Sequence, residues 1–343
     1  MNSSVVAVQQ TTPRLGFLGV GRIGTRRMVT LAASGAGRIA AIADSVVERA
    51  VQARAVAPDA HVADSLDALL ELDLDGIVIA TPPALHAEQC MRALGHGVAV
   101  FCQKPLARTA AETRAVVAAA RAANRLLGID LSYRFTAAMQ SVRNAVRSGD
   151  IGTVYAANLV FHNAWGPDRG WARDPALAGG GCVLDLGVHL VDLAFWVLDF
   201  PAVKRVDSQL FAGGNRLQRD GRDGRGEVVC EDFATATIEL ATGATVRMAC
   251  SWELHAGRDA IIEATFHGRD GGAVMRNVDG SFFDFTAELH RGASAGVLCS
   301  PPDDWGGRAL IDWSSRLADG ARYDVGVETA VVVAETLDAV LGR

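Results

Sequence analysis

The chain has 343 residues, half of them hydrophobic, with 33 Lys plus Arg against 39 Asp plus Glu and a formal net charge of −6. That length suits about two domains and a large core. The scattered basic residues exclude the electrostatic footprint of a nucleic-acid binder, and no basic-then-apolar leader or uninterrupted apolar run of membrane-spanning length stands out, so no membrane partner and a cytoplasmic location are expected.

Residues 1–13 read as a loose polar tail. From Arg14 onward a glycine turn and a helix over 23–34 follow the apolar strand 15–20, and a second strand spans 39–44. Helices are expected over 45–56, 65–71 and 84–94, with strands over 76–81 and 98–102. Thr109 is placed to cap an alanine-rich helix that runs to Asn124, and a strand over 126–132 completes the unit. Short, continuously apolar strands alternating with helices mean a parallel sheet covered on both faces. The expected fold is therefore α/β in its first part, a doubly wound Rossmann domain over 1–132.

Beyond Tyr133 the texture changes to longer segments enriched in β-branched residues, over 153–162, 204–211, 228–240, 244–254, 260–267 and 273–285, with a hairpin turn at 241–243. This part, 133–343, is expected to be an α+β domain on a mostly antiparallel open sheet. A buried helix over 181–198 should cross that sheet on the side facing the first domain. The last helix, 325–341, closes the chain and has the option of packing back on the first domain. The run from Arg216 to Arg225 alternates arginine with aspartate and glycine and reads as a solvated loop. Six cysteines, Cys90, Cys102, Cys182, Cys230, Cys250 and Cys299, form no C-x-x-C pair and suit buried thiols in a reducing compartment. No metal is expected.

Two features carry chemistry. Asp185, His189 and Asp192 fall at i, i+4 and i+7 of a helix that is otherwise apolar nearly all round. Burying a carboxylate and an imidazole costs several kcal/mol, about what only a partner or a substrate offsets, so the segment reads either as an active site or as a self-satisfied Asp–His pair. The chain also holds only two lysines, Lys104 and Lys204, against 31 arginines. Lysine is able to shift its pKa and arginine is not, which draws notice to Lys104, held by Pro105 just past the strand 98–102.

The first strand runs directly into Gly19-Val-Gly21-Arg22-Ile23-Gly24, and Asp44 ends the next strand twenty positions later. Glycines there permit the tight turn, the approach of a pyrophosphate and close helix–strand packing, while a carboxylate at the second strand end accepts from adenosine ribose hydroxyls. It would repel a 2′-phosphate, so NAD is favoured over NADP. Arg22 can pair with the pyrophosphate. Thr81, Pro82 and Gln103–Lys104 share the carboxyl edge of the sheet, where ligands collect. His86 lies near the same edge, and both backbone bonding and cofactor contact are open to it.

Taken together these residues resemble the Gfo/Idh/MocA family, the glucose-fructose oxidoreductase and inositol dehydrogenase group, over almost the whole chain. The resemblance rests on the glycine turn, Asp44, Ala80-Thr-Pro-Pro-Ala-Leu-His86, Lys104–Pro105, Tyr133-Arg134-Phe135, Trp171-Ala-Arg-Asp-Pro175 and Gly179-Gly-Gly-x-x-x-Asp185-x-Gly-x-His189-x-x-Asp192. It implies that Lys104, Asp185 and His189 flank the reacting carbon of a sugar or polyol beside the nicotinamide. Where the family usually has Glu-Lys-Pro, this chain has Gln103. His189 has the ordinary pKa of a base near neutrality; Asp185 can orient it or bind a neighbouring hydroxyl, and Lys104 can stabilise an alkoxide. Arg134, His162, Asn163 and Trp165 are further candidates for substrate contact. The expected activity is NAD-dependent oxidation of a CH–OH group, in a homodimer or homotetramer paired through the large sheet. Two rivals are a glycosidase that uses bound NAD for transient oxidation and a non-catalytic nucleotide-binding co-regulator.

Overall fold

A computed structural model describes residues 12–218 and 221–343. Most of the polar tail, residues 1–11, lies outside the described residues, as do residues 219 and 220 of the arginine-rich run, whose described part is largely exposed.

The chain opens with β1 (Arg14–Leu18), α1 (Arg22–Ser34), β2 (Arg38–Ala43), α2 (Val47–Ala53), β3 (His61–Val62), α3 (Leu66–Leu70), β4 (Gly76–Ile79), α4 (Pro83–Gly95), β5 (Ala99–Cys102), α5 (Ala110–Ala123) and β6 (Leu127–Ile129). These six strands pair in parallel in the order β3-β2-β1-β4-β5-β6. The order reverses between β1 and β4, so a crevice opens at their carboxyl ends. β4 and β5 are buried throughout, because helices cover both faces. Thr109 caps α5 by accepting from Glu112 N at 3.1 Å, and Asn124 ends that helix in the left-handed region. The two-residue edge strand β3 gives no sequence signal.

The second half contains α6 (Ala137–Arg147), β7 (Val154–Asn163), α7 (Pro175–Ala178), α8 (Val188–Leu198), β8 (Val203–Ala212), β9 (Asn215–Arg216), β10 (Phe233–Leu240), β11 (Thr245–Ser251), β12 (Ala260–Gly268), β13 (Gly272–Asn277), β14 (Phe285–Arg291), β15 (Ser294–Cys299), α9 (Arg308–Ala318) and α10 (Thr329–Val340). Nine strands form one sheet in the order β15-β14-β13-β12-β7-β11-β10-β8-β9. Every pairing is antiparallel except β7 with β11. β10 and β11 alternate strictly: Ala234, Ala236, Ile238, Val246, Met248 and Cys250 turn inward, where α8 lies across β7, β11 and β12. The opposite face is polar, with Asn158, Gln209 and Arg247 exposed on it among threonines.

Four elements depart from the sequence reading. The segment expected as one strand over 228–240 begins its ladder only at Phe233, and the one over 273–285 is a strand, a turn and the start of a further hairpin, β14–β15. Helices α6 and α9 fall where the texture suggested only strands or loop. α9 returns to the first sheet: its Trp313 ring packs on Phe101 at 5.7 Å, and a Cβ at Gly128 would sit 2.5 Å from it. α10 is wedged between α5 and α8. The run Pro175–Leu198 is long and apolar enough to cross a membrane, with mean hydropathy 1.7 over its most apolar 18 residues, but 89% of that stretch is buried inside the protein, as a core helix would be.

Candidate active site

The glycine turn has the shape a dinucleotide needs. Gly19 adopts φ +87°, and a Cβ there would lie 2.8 Å from the backbone of Ala80; a Cβ on Gly24 would lie 2.1 Å from Gly19 O. These two close approaches bring α1 against β1 and β4. A Cβ on Gly21 would meet nothing within 4 Å, so that side is open, and the first turn of α1 carries no acidic residue. An anion fits such an end, where free N–H groups and the helix dipole point outward. Ile23 follows Arg22 in the same turn. Arg22 is exposed and reaches Asp168 at 3.7 Å, an ion pair across the mouth of the turn. At the end of β2, Asp44 is nearly buried and accepts from Val20 N at 2.8 Å and Val46 N at 2.9 Å, which fixes its carboxylate with one lone pair per oxygen still free.

On the neighbouring edge, Pro82 caps α4 and Thr81 donates to Gln89 Oε1 at 2.6 Å. His86 does not offer a ring nitrogen to a ligand. Its Nδ1 faces Pro105 O at 2.8 Å and its Nε2 faces Thr81 O at 2.7 Å, so the buried ring braces the two turns against each other. Of its two possible roles, the structure shows the backbone one. Burial pushes its pKa down, against the pull of the two carbonyls.

Lys104, Asp185 and His189 do converge. A cis peptide joins Lys104 to Pro105. Lys104 Nζ donates to Asp185 O at 2.5 Å and to Asp185 Oδ1 at 2.8 Å, while Trp252 Nε1 donates to Asp185 Oδ2 at 3.0 Å. Loss of water around Asp185 pushes its carboxyl up, but the Lys104 charge and the two hydrogen bonds outweigh this and hold it below its ordinary value. His189 sits edge-on to Tyr133 with ring centres 4.7 Å apart and 6.4 Å from Phe161. Burial and then the Lys104 ammonium push the imidazole well below 6.5, against Asp185. His189 is therefore a neutral base at physiological pH. Asp185 orients lysine and indole rather than the imidazole; packing against Tyr133 orients the imidazole.

The backbone explains this exchange. Residues Val183–Gly187 form a π-type turn before α8 begins, so Asp185 departs from the regular i, i+4 stacking with His189. The turn is anchored at its start by Glu231, which is buried: Gly181 N donates to both of its carboxylate oxygens at 2.9 Å, Val183 N to Oε1 at 2.8 Å and Cys182 N to its carbonyl at 2.9 Å. Asp192 points elsewhere and pairs with Arg134, whose Nε reaches it at 2.8 Å. Arg134 is thus spent on Asp192, with its guanidinium over Phe200 at 5.4 Å.

The remaining candidates line one edge. β7 and β11 run parallel, which sets His162 beside Ser251; the imidazole bonds Ser251 Oγ at 2.8 Å and stacks on Phe233, and burial lowers its pKa. Asn163 Oδ1 receives Trp165 N at 2.8 Å, and Trp165 itself is exposed. Trp252, the next residue after β11, is on this edge and touches Asp185. Tyr133, Glu231 and Trp252 were not singled out from sequence as site residues, although Tyr133 stands in the Tyr133-Arg134-Phe135 segment that carries the resemblance. Among the described residues, no group of three or more His, Cys, Asp or Glu is arranged to hold a metal.

Comparison with known proteins agrees with this geometry. The profile of the oxidoreductase family with NAD-binding Rossmann fold matches residues 14–131, and that of the GFO/IDH/MocA C-terminal domain matches residues 139–274. D-glucoside 3-dehydrogenase of Escherichia coli (strain K12) is 31% identical over 245 residues, 69% of each chain. 1,5-anhydro-D-fructose reductase of Ensifer adhaerens is 29% identical over 271 residues, 77% of this chain and 76% of that one. Among solved structures, the 3-ketoreductase KijD10 from Actinomadura kijaniata, in complex with NADP and TDP-benzene, superposes with a TM-score of 0.81 over 96% of this chain and 97% of its own at 22% identity, a likeness of fold. With the nucleotide turn, the Lys104–Asp185–His189 grouping and both domain profiles in place, the chain belongs to the Gfo/Idh/MocA family of NAD-binding oxidoreductases.

Proposed function

We propose that the protein is a dehydrogenase that oxidises a secondary alcohol of a sugar, an inositol or a related polyol, or reduces the corresponding ketone, with NAD as its preferred partner. The observation that carries this reading is the neutral, buried His189 next to a lysine whose charge is held by Asp185. The relatives named above for a glucoside and an anhydro-sugar support the substrate class. Asp44, buried at the end of β2, supports NAD, because a 2′-phosphate would meet its charge.

When bound, NAD supplies the hydride acceptor. His189 takes the hydroxyl proton on a ring nitrogen as negative charge builds on the substrate oxygen. Lys104 Nζ spends two of its three N–H groups on Asp185 and has the third for that oxygen. Trp252 and Lys104 together hold Asp185 in its ionised form, and the two bonds to Asp185 keep Lys104 aimed. In reduction the same groups work backwards, with His189 returning the proton. His162, Asn163 and Trp165, on the adjoining sheet edge, contact the rest of the substrate. On this reading residues 1–132 form the nucleotide domain and residues 133–343 the substrate domain. The enzyme acts in the cytoplasm as a homodimer or homotetramer paired through the exposed sheet face.

The test is a panel of inositols, aldoses, amino-sugar derivatives and glycosides offered with NAD and separately with NADP, read by absorbance of reduced nicotinamide and by chromatography of released sugar. Net reduction with one of them is expected; free sugar released from a glycoside with no net reduction would replace this reading with the glycosidase one, and silence across the panel would favour the co-regulator. Lys104→Met is expected to abolish turnover of the best substrate while NAD affinity stays within about threefold, since the glycine turn is untouched. Retained turnover would remove the lysine from the mechanism.

A further inference from the structure

Gln103 is the one place in the site where the chain departs from the Glu-Lys-Pro pattern it otherwise resembles, and the structure gives the reason. Beside Gln103 lies Asp130, directly after β6, with its side chain only 1% exposed. Arg27 of α1, itself buried, donates Nε to Asp130 Oδ2 at 2.6 Å and a second N–H to Gly306 O. Gln103 Nε2 donates to the same Asp130 oxygen. Asp130 Oδ1 is buried without a hydrogen-bond partner.

A glutamine amide that is free to turn presents either a donor or an acceptor. This one cannot, because a carboxylate only accepts, so the NH2 group must face Asp130 and the carbonyl oxygen Oε1 must face away. Glutamate in this position would place a second carboxylate against a buried one, which ordinary ionisation forbids unless the two share a proton. Gln103 directly follows β5, on the far side of β1 from Asp44 and adjacent in sequence to Lys104. The half of the cofactor that reaches β5 is therefore the nicotinamide half, whose ribose carries hydroxyl donors.

We propose that the Arg27–Asp130 pair is a positioning device that fixes Gln103 as a neutral, acceptor-only substitute for glutamate, with Oε1 receiving a hydroxyl of the nicotinamide ribose. The inference rests on NAD binding at the glycine turn. The charged and titratable groups around it are Arg27 from α1, the Cys102 thiol and Lys104 from the β5 end, and Asp130 itself. In the native chain Gln103 adds no titrating group to this set.

The test measures the NAD dissociation constant of the full chain by calorimetry, without substrate, at about pH 6 and about pH 8.5. Gln103→Glu is expected to bind about tenfold more weakly at the higher pH than at the lower, because the shared proton is lost there. The double variant Gln103→Glu/Asp130→Asn leaves one carboxylate where the single variant has two, so no proton is shared between the pair, while the asparagine carbonyl oxygen still accepts from Arg27. It is expected to bind within about threefold of the native chain at both pH values. If Gln103→Glu fails to fold, recovery of folding and affinity in the double variant supports the device equally. Native affinity at both pH values in Gln103→Glu, or a double variant no better than the single, overturns it. Because no substrate is present, the outcome is independent of which alcohol the enzyme oxidises.

Discussion

Gly181→Ala tests whether the active-site helix is held where the chemistry needs it. A Cβ at this position would lie 1.9 Å from Glu231 O and 2.8 Å from Glu231 C and N, all backbone atoms that no rotamer change relieves. Real Cβ contacts stay above 3.0 Å, so the gap must widen from 1.9 to 3.0 Å, about 1.1 Å. That movement breaks the Cys182 N to Glu231 O bond of 2.9 Å and travels directly to Asp185, whose N–H is bonded to Gly181 O at 3.1 Å. Overpacking of about 1–3 kcal/mol and one lost hydrogen bond of about 1 kcal/mol give a destabilisation of about 2–4 kcal/mol. A displacement on the order of 1 Å in a catalytic group costs about a hundredfold in rate. The expected result is therefore kcat/KM down by about two orders of magnitude, a lower urea midpoint, and NAD affinity within about threefold of native, since the glycine turn itself is unchanged. Steady-state kinetics on the best substrate, urea unfolding and calorimetric NAD titration give the three readings. Native kcat/KM together with a native urea midpoint would refute the pinning of the helix by Glu231.

Gly21→Ala is the opposite kind of change: its Cβ meets nothing within 4 Å, so stability should hold within about 0.5 kcal/mol while NAD affinity, followed by calorimetry, falls about tenfold or more. Equal affinity would mean that the open side of the turn is not where the pyrophosphate docks. Asp44→Ala frees Val20 N and Val46 N and removes the charge at the ribose end; the ratio of NAD to NADP affinity is expected to drop at least about tenfold, and an unchanged ratio contradicts the role assigned to this carboxylate. The pH profile of kcat/KM for alcohol oxidation reports His189 directly. Because burial and Lys104 depress its pKa, it remains unprotonated as pH falls through 6.5, and the acid limb should lie below that value; a limb centred above about 7 would assign the proton to another group.

The parts of this protein that were legible in its sequence are those whose signal is local. Gly19, Gly21 and Gly24 are needed by one turn, Asp44 by the end of the next strand, and the alternation of short apolar strands with helices specifies the parallel sheet without help from the rest of the chain. Lys104, Asp185 and His189 could be proposed together only because the family pattern links them. What each then touches was not legible. The i, i+4 spacing suggested Asp185 against His189, yet the π-type turn and the arrival of Lys104 from 81 residues away redirected the carboxylate. Arg134 read as a substrate ligand is consumed by Asp192, 58 residues on, and Gln103 read as an isolated departure is matched by Asp130 and Arg27. Helix α6 was missed although its buried positions Met139 and Val142 are spaced as on a helix face, because the strands they pack on, β13 and β14, come from more than a hundred residues further on; the strand β15 is exposed along most of its length and carries little apolar signal.

The amino-acid order alone determined the local backbone: where it turns, where it extends, which faces are apolar and which ionisable groups are too costly to bury unaided. The tertiary structure decided the partners of those groups. A buried charge takes whichever opposite charge or N–H donor the packed elements bring within about 3 Å, and that choice depends on long-range strand order and helix docking rather than on spacing along the chain.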